Sequence, residues 1–208
     1  MANFLLIGPR GGGKTQILRS FTGKEIEPDG YGTAVYNYII DKHEEDRSLL
    51  WGLINWKTEV KGFDFTEIGG GQKNLENTID RINNSKDQII LFIFDGTEFI
   101  KQIKEQKNGG EIYALWKYYT SRCGDKIDKV FFVATHEDKA KEMQKTIRNL
   151  IDDANELYLN LIKTKRYDDK LFDETRFYCI NATNPKIVKE TIYSVLNTYW
   201  KECLVNHV

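Results

Sequence analysis

Residues 8–15 read Gly8-Pro9-Arg10-Gly11-Gly12-Gly13-Lys14-Thr15, directly after the apolar run 3–7 and directly before a helix-like stretch holding Ile17, Leu18 and Phe21 on one side. This order is the pattern of a polyphosphate cradle. A strand delivers the chain to one point, glycines let the backbone wrap an anion, and successive N–H groups with a helix N-terminus face the phosphates. On this pattern the backbone of Gly8, Gly11, Gly12 and Gly13, with Gln16 beyond, lines the cradle. Lys14 reaches the β and γ oxygens, and Thr15 offers its hydroxyl to Mg²⁺. A flexible loop also tolerates three glycines, but it does not require the preceding strand, the Lys and the Thr in this order.

Outward from the loop, short β-rich runs alternate with longer helical patterns. The fold class is therefore α/β: a three-layer sandwich with a mostly parallel, six-stranded sheet and helices on both faces. Strands are predicted at 3–7, 33–40, 61–68, 88–94, 129–134 and 177–180, with helices at 14–21 and 72–82, around Leu115 and Trp116, and over a closing stretch from Val188 to Cys203. The longest amphipathic helix is expected over 143–161, and 49–56 is apolar enough for strand or helix. Residues 104–110 and 163–173 read as charged surface loops. At 208 residues the chain is expected to form one domain over 1–208.

Composition removes several function classes. The 30 Lys and Arg residues against 31 Asp and Glu create no global field for nucleic acid or an anionic membrane. Cys123, Cys179 and Cys203 have no metal-ligand spacing and suit free thiols in a reducing compartment. No stretch approaches membrane-spanning length, so no direct membrane insertion is expected and the location is expected to be cytoplasmic.

Three further stretches carry chemistry. Thr33 starts a strand after Tyr31 and Gly32. Glu67-Ile68-Gly69-Gly70-Gly71-Gln72 ends an alternating strand, and Thr135-His136-Glu137-Asp138 follows a buried one. In this order, with the phosphate loop, they resemble the Ras-like small GTPases, nearest the Arf and signal-recognition-particle-receptor β-subunit branch, over nearly the whole chain. The resemblance implies a guanine-nucleotide switch that binds GTP or GDP with Mg²⁺ and meets protein effectors and regulators. Thr33 would sense the γ-phosphate and bind Mg²⁺, although a β-branched residue is also an ordinary strand starter.

The second stretch departs from the family's Asp-x-Gly-Gly-Gln by a longer carboxylate and one added glycine. With Glu67 in the Asp role, Gly70 gives its N–H to the γ-phosphate and Gln72 falls one residue late. With Gly71 in that place, Ile68 fills the carboxylate slot. Gln72 is the candidate to orient the attacking water, and a solvated helix start would equally carry a Gln. In place of Asn-Lys-x-Asp, Asp138 would accept from guanine N1–H and the exocyclic amine, a donor pair adenine lacks. Thr135 would stand for the Asn, and His136 would lay a flat ring along the base. Asn181-Ala182-Thr183 matches the last motif, with the Ala182 N–H toward guanine O6. Asp95, ending an apolar run, is either a structural carboxylate or the metal-binding acid of an ATPase or phosphotransferase. Arg10 is either a charge stabiliser or a solvent-facing loop residue. A nucleotide-binding scaffold without hydrolysis is the remaining alternative.

Overall fold

The computed structural model describes residues 2–26, 33–39, 62–70, 74–84, 88–105, 110–124, 130–142 and 176–205. Strands β1 (Ala2–Ile7), β2 (Thr33–Ile39), β3 (Gly62–Ile68), β4 (Gln88–Asp95), β5 (Val130–Thr135) and β6 (Phe177–Cys179) form one sheet in the order β2-β3-β1-β4-β5-β6. Every neighbouring pair is parallel except β2 and β3. The mostly parallel six-stranded sheet expected from the sequence is therefore present. The described helices are α1 (Lys14–Thr22), α2 (Leu75–Asn84), α3 (Gly96–Glu105), α4 (Gly110–Cys123), α5 (Glu137–Glu142) and α6 (Pro185–Val205).

The continuous apolar runs of β1 and β4 make sense because both faces of these strands are covered. Phe4 and Leu6 with Ile89, Leu91 and Ile93 pack toward α1 and α6, through Ile17, Leu18, Phe21, Val188, Ile192 and Leu196. Leu5 and Ile7 with Ile90, Phe92 and Phe94 pack on the other face against α2, α3 and α4, through Ile79, Ile82, Phe99, Ile112 and Trp116. Side chains alternate across a strand, so a run buried on both faces is apolar at every position. Burial of each large apolar side chain contributes about 1.5–3 kcal/mol before chain entropy is subtracted.

The same alternation positions the site. On β3, Phe63 and Phe65 enter the α1–α6 core, which puts Glu67 on that face, while Ile68 enters the opposite core. Glu67 pairs in register with Leu6, one residue before β1 ends.

Several expected bounds shift. The helix expected from 72 starts at Leu75, and the loop expected over 104–110 is split, because Lys104 and Glu105 finish α3 and Gly110 starts α4. Helix α3 was missed although Asp95-Gly96-Thr97-Glu98 is a capping-box signature, an acceptor three residues ahead of a Glu. Asp95 Oδ1 accepts from the backbone N–H groups of Thr97 (2.8 Å) and Glu98 (3.1 Å), which fixes the helix start. At the far end, Asn184 Oδ1 accepts from the N–H of Lys186 (3.1 Å) and Ile187 (3.3 Å), with Pro185 in the first turn of α6. The helix expected over 143–161 and the undecided stretch 49–56 lie outside the described residues.

Candidate functional site

Five parallel strands, β3, β1, β4, β5 and β6, turn their carboxyl ends to the side of the sheet that carries the loop 8–13. Open α/β sheets place ligands at such carboxyl ends. The loop is shaped by backbone contacts. Gly8 has φ +131, and a Cβ there would lie 2.1 Å from the Ile93 carbonyl oxygen. Gly12 would meet the same oxygen at 2.6 Å, and Gly13, with φ +95, would press on the Thr135 side chain at 2.9 Å. No side chain fits at these places, so the loop and the end of β4 touch main chain to main chain. Gly70 closes the other side: a Cβ there would be 2.2 Å from the Arg10 nitrogen and 2.3 Å from the Pro9 carbonyl carbon.

Lys14 and Thr15 open α1. Lys14 is buried, with its ammonium donating to the carbonyls of Gly8 (2.9 Å) and Pro9 (2.8 Å). Burial lowers its pKa from 10.5 to about 8, against the pull of nearby Glu67, which raises it. The Thr15 hydroxyl donates to Glu67 Oε1 at 2.7 Å. Glu67, not Ile68, thus faces Thr15, and Gly70 lies against the loop. Gln16 extends along α1 and donates to Ser20 Oγ (3.2 Å), whose own hydroxyl donates to the Ala182 carbonyl at 2.6 Å.

The residues that the sequence offers for a base site gather beyond the loop. Thr135 is fully buried, and its hydroxyl lies 3.0 Å from the Gly12 carbonyl and 3.2 Å from that of Phe94. Sequence reasoning gave Thr135 a place at the base but missed that it ties β5 to the phosphate loop. His136 takes φ 65, the left-handed region that His visits more readily than most non-glycine residues. Its Nδ1 lies 3.0 Å from Thr135 Oγ1 and 3.3 Å from Asp95 Oδ2. Asp138 is exposed in the first turn of α5, which is tied to β6 by the Glu137 N–H donating to the Ile180 carbonyl at 3.2 Å. Asn181 Oδ1 accepts from the Thr183 backbone N–H (3.0 Å) and hydroxyl (2.7 Å), forming the turn that carries Ala182.

Asp95 caps α3, with Oδ1 also accepting from the Thr97 hydroxyl at 2.7 Å. Thr33 is the first residue of β2, opposite Ile68. Gly71 and Gln72 lie outside the described residues.

The oxygen pair Thr15 Oγ1 and Glu67 Oε1 is chemically suited to Mg²⁺, a hard cation that prefers oxygen ligands. Among the described residues no three His, Cys, Asp or Glu side chains group as a metal site. No described helix is long and apolar enough to cross a membrane.

A glycine loop feeding α1, set in a sheet of order β2-β3-β1-β4-β5-β6 with one antiparallel edge pair, defines a P-loop GTPase fold. Solved structures agree. The Arl6 BBS3 small GTPase from Trypanosoma brucei, with the bound nucleotide analogue GppNp, superposes with a TM-score of 0.59 at 16% identity, over 96% of this chain and 98% of that one. A probable GTP-binding protein, engB, superposes with a TM-score of 0.54 at 16% identity, over 95% of this chain and 99% of the other. No family model matches the chain, and no curated protein matches it by sequence.

Proposed function

We propose that this chain is a guanine-nucleotide-binding switch with slow, Mg²⁺-dependent GTP hydrolysis, built as one domain over residues 1–208. The observation that carries the reading is the Thr135 hydroxyl on the Gly12 carbonyl. It joins the candidate base motif to the phosphate loop, three residues ahead of Asp138. In this reading the loop amides of Gly8, Gly11, Gly12 and Gly13 receive the phosphates, and Lys14 leaves the Gly8 and Pro9 carbonyls for the β and γ oxygens. Thr15, Thr33 and Glu67 hold Mg²⁺, which supplies charge neutralisation at the transferring phosphoryl group. The Gly70 N–H meets the γ-phosphate, and Gln72 orients water. Asp138 selects guanine, His136 lies along the base, and Ala182 on the Asn181 turn meets guanine O6.

Loss of the γ-phosphate removes contacts to Thr33 and Gly70, so the surface offered to effectors and regulators differs between the two nucleotide states. The motif resemblance to the Arf and signal-recognition-particle-receptor β-subunit branch supports this reading, and a cytoplasmic location goes with it. Intrinsic turnover is expected on the order of 10⁻⁴ to 10⁻² per second.

Identification of the nucleotide that copurifies with the protein tests the base assignment: GDP or GTP is expected, and equal affinity for ATP and GTP in competition sinks it. A second reading is a guanine-nucleotide scaffold without hydrolysis. It is favoured by Glu67 standing where the family has Asp, followed by one added glycine. Single-turnover phosphate release from bound GTP separates the two, since release no faster than in buffer leaves only the scaffold.

A further inference from the structure

Asp95 uses its two oxygens for different elements. Oδ1 is taken up by the first turn of α3, through the Thr97 N–H, the Thr97 hydroxyl and the Glu98 N–H. Oδ2 faces His136 Nδ1 at 3.3 Å, and the same nitrogen is 3.0 Å from Thr135 Oγ1. An ionised carboxylate only accepts hydrogen bonds. Thr135 has one hydroxyl hydrogen, and the carbonyls of Gly12 and Phe94 stand ready to accept it, so the face it turns to His136 is a lone pair. Two acceptors therefore converge on Nδ1, which must carry the hydrogen, and in the neutral ring Nε2 is left as an acceptor. These two contacts set Nδ1 between the last residues of β4 and β5.

We propose that Asp95 is a positioning residue for the base subsite: it holds His136 as the Nδ1–H tautomer with its ring plane fixed, ready to lie along a purine. The carboxylate at the end of β4 thus acts on the nucleotide through the imidazole, not through a metal ion. The choice of purine ligand rests on the guanine-nucleotide reading, whereas the tautomer does not.

The pair is about a quarter to a third exposed (30% for His136, 26% for Asp95), so water competes with it and the effect on affinity is modest. The test is ¹⁵N-resolved NMR of the neutral His136 ring, together with GDP affinity, in wild type, Asp95→Asn and Asp95→Ser. Both variants keep an oxygen to cap α3. Asn, however, presents an N–H donor to Nδ1, and Ser is too short to reach it. The expected results are Nδ1–H in wild type, conversion to Nε2–H in Asp95→Asn, and a mixture in Asp95→Ser. GDP affinity should fall about three- to tenfold in both variants, in line with one modest hydrogen bond. The Asp95→Asn loss should vanish in a His136→Ala background, where a merely structural cap would still contribute. Nε2–H in wild type overturns the proposal, as does an unchanged GDP affinity in both variants. Wild type that binds no guanine nucleotide fails the functional reading instead and leaves the tautomer result standing.

Discussion

The two sides of the proposed site, one toward phosphate and one toward base, are built from different materials. On the phosphate side the fit is main chain on main chain: Gly8 and Gly12 lie against the Ile93 carbonyl, and Gly70 lies against Pro9 and Arg10. On the base side the joints are side chains, namely the Thr135 hydroxyl, the His136 ring, the exposed Asp138 and the Asn181 turn. Backbone contacts admit one residue type, because any Cβ collides. Side-chain joints admit any group that supplies the same donor or acceptor. The contrast accounts for an intact glycine loop beside a base motif that reads Thr-His-Glu-Asp.

The largest effect that could break this comparison lies at Lys14. Lys14→Ala removes the only charged side chain of the loop aimed inward, and nucleotide affinity is expected to drop at least about a hundredfold, measured by fluorescent-nucleotide titration. An unchanged dissociation constant would place the phosphate site elsewhere. Asp138→Ala leaves the cradle whole, so GDP binding should weaken while preference for GTP over ATP falls on the order of a hundredfold in competition assays.

Glycines sharpen the contrast. Gly70→Ala must push the loop at Pro9 and Arg10 and is expected to lower nucleotide affinity about tenfold or more. Gly11→Ala meets open space and bears only the strain of φ +78, about 1 kcal/mol. Equal losses for the two would mean that the backbone fit does not matter.

The buried ammonium gives the phosphate side its own pH signature. Burial lowers the Lys14 pKa to about 8 in the folded, nucleotide-free protein, so between about 8 and the ordinary lysine value of 10.5 the unfolded chain binds the extra proton. Stability from this group therefore rises with pH across that window and is lowest where Lys14 is charged, below about 8. Nucleotide binding runs the other way, because phosphates favour the charged ammonium. Above pH 8 affinity should decline by up to about tenfold per pH unit, with proton uptake on binding seen by calorimetry in buffers of different ionisation enthalpy. A modest effect belongs to the base side: Thr135→Val leaves the Gly12 and Phe94 carbonyls without the hydroxyl and should cost about 1–2 kcal/mol in denaturant unfolding, with a several-fold loss of GDP affinity.

Legibility in the sequence follows the same division. The loop 8–15 was readable because positive φ and close approach demand glycine, and Lys14 and Thr15 follow at fixed offsets. The strands were readable because burial on both faces makes the interior runs of β1, β4 and β5 continuously apolar, with polar residues only toward their ends. The placement of Glu67 was not, since two registers of a glycine run look alike until strand alternation assigns one residue to each face. Thr135 and Asp95 were visible as polar strand ends, but their partners, Gly12 and His136, are set by which strands are neighbours in the sheet. Helix α3 was missed because its apolar face is short and its start is signalled only by the Asp95 cap.

The contact between the Ser20 hydroxyl and the Ala182 carbonyl joins residues 162 positions apart in the chain. The loop and α1 are made long before the turn that α1 leans on. A nascent chain therefore carries its glycine loop with α1 unsupported until residues 176–205 have been added. Only then can β6 join the sheet edge and α6 cover α1. Interactions this distant in sequence also fold slowly, so the interval in which the half-built loop stays exposed to chaperones or to aggregation is set by the late β6 and α6, not by β1.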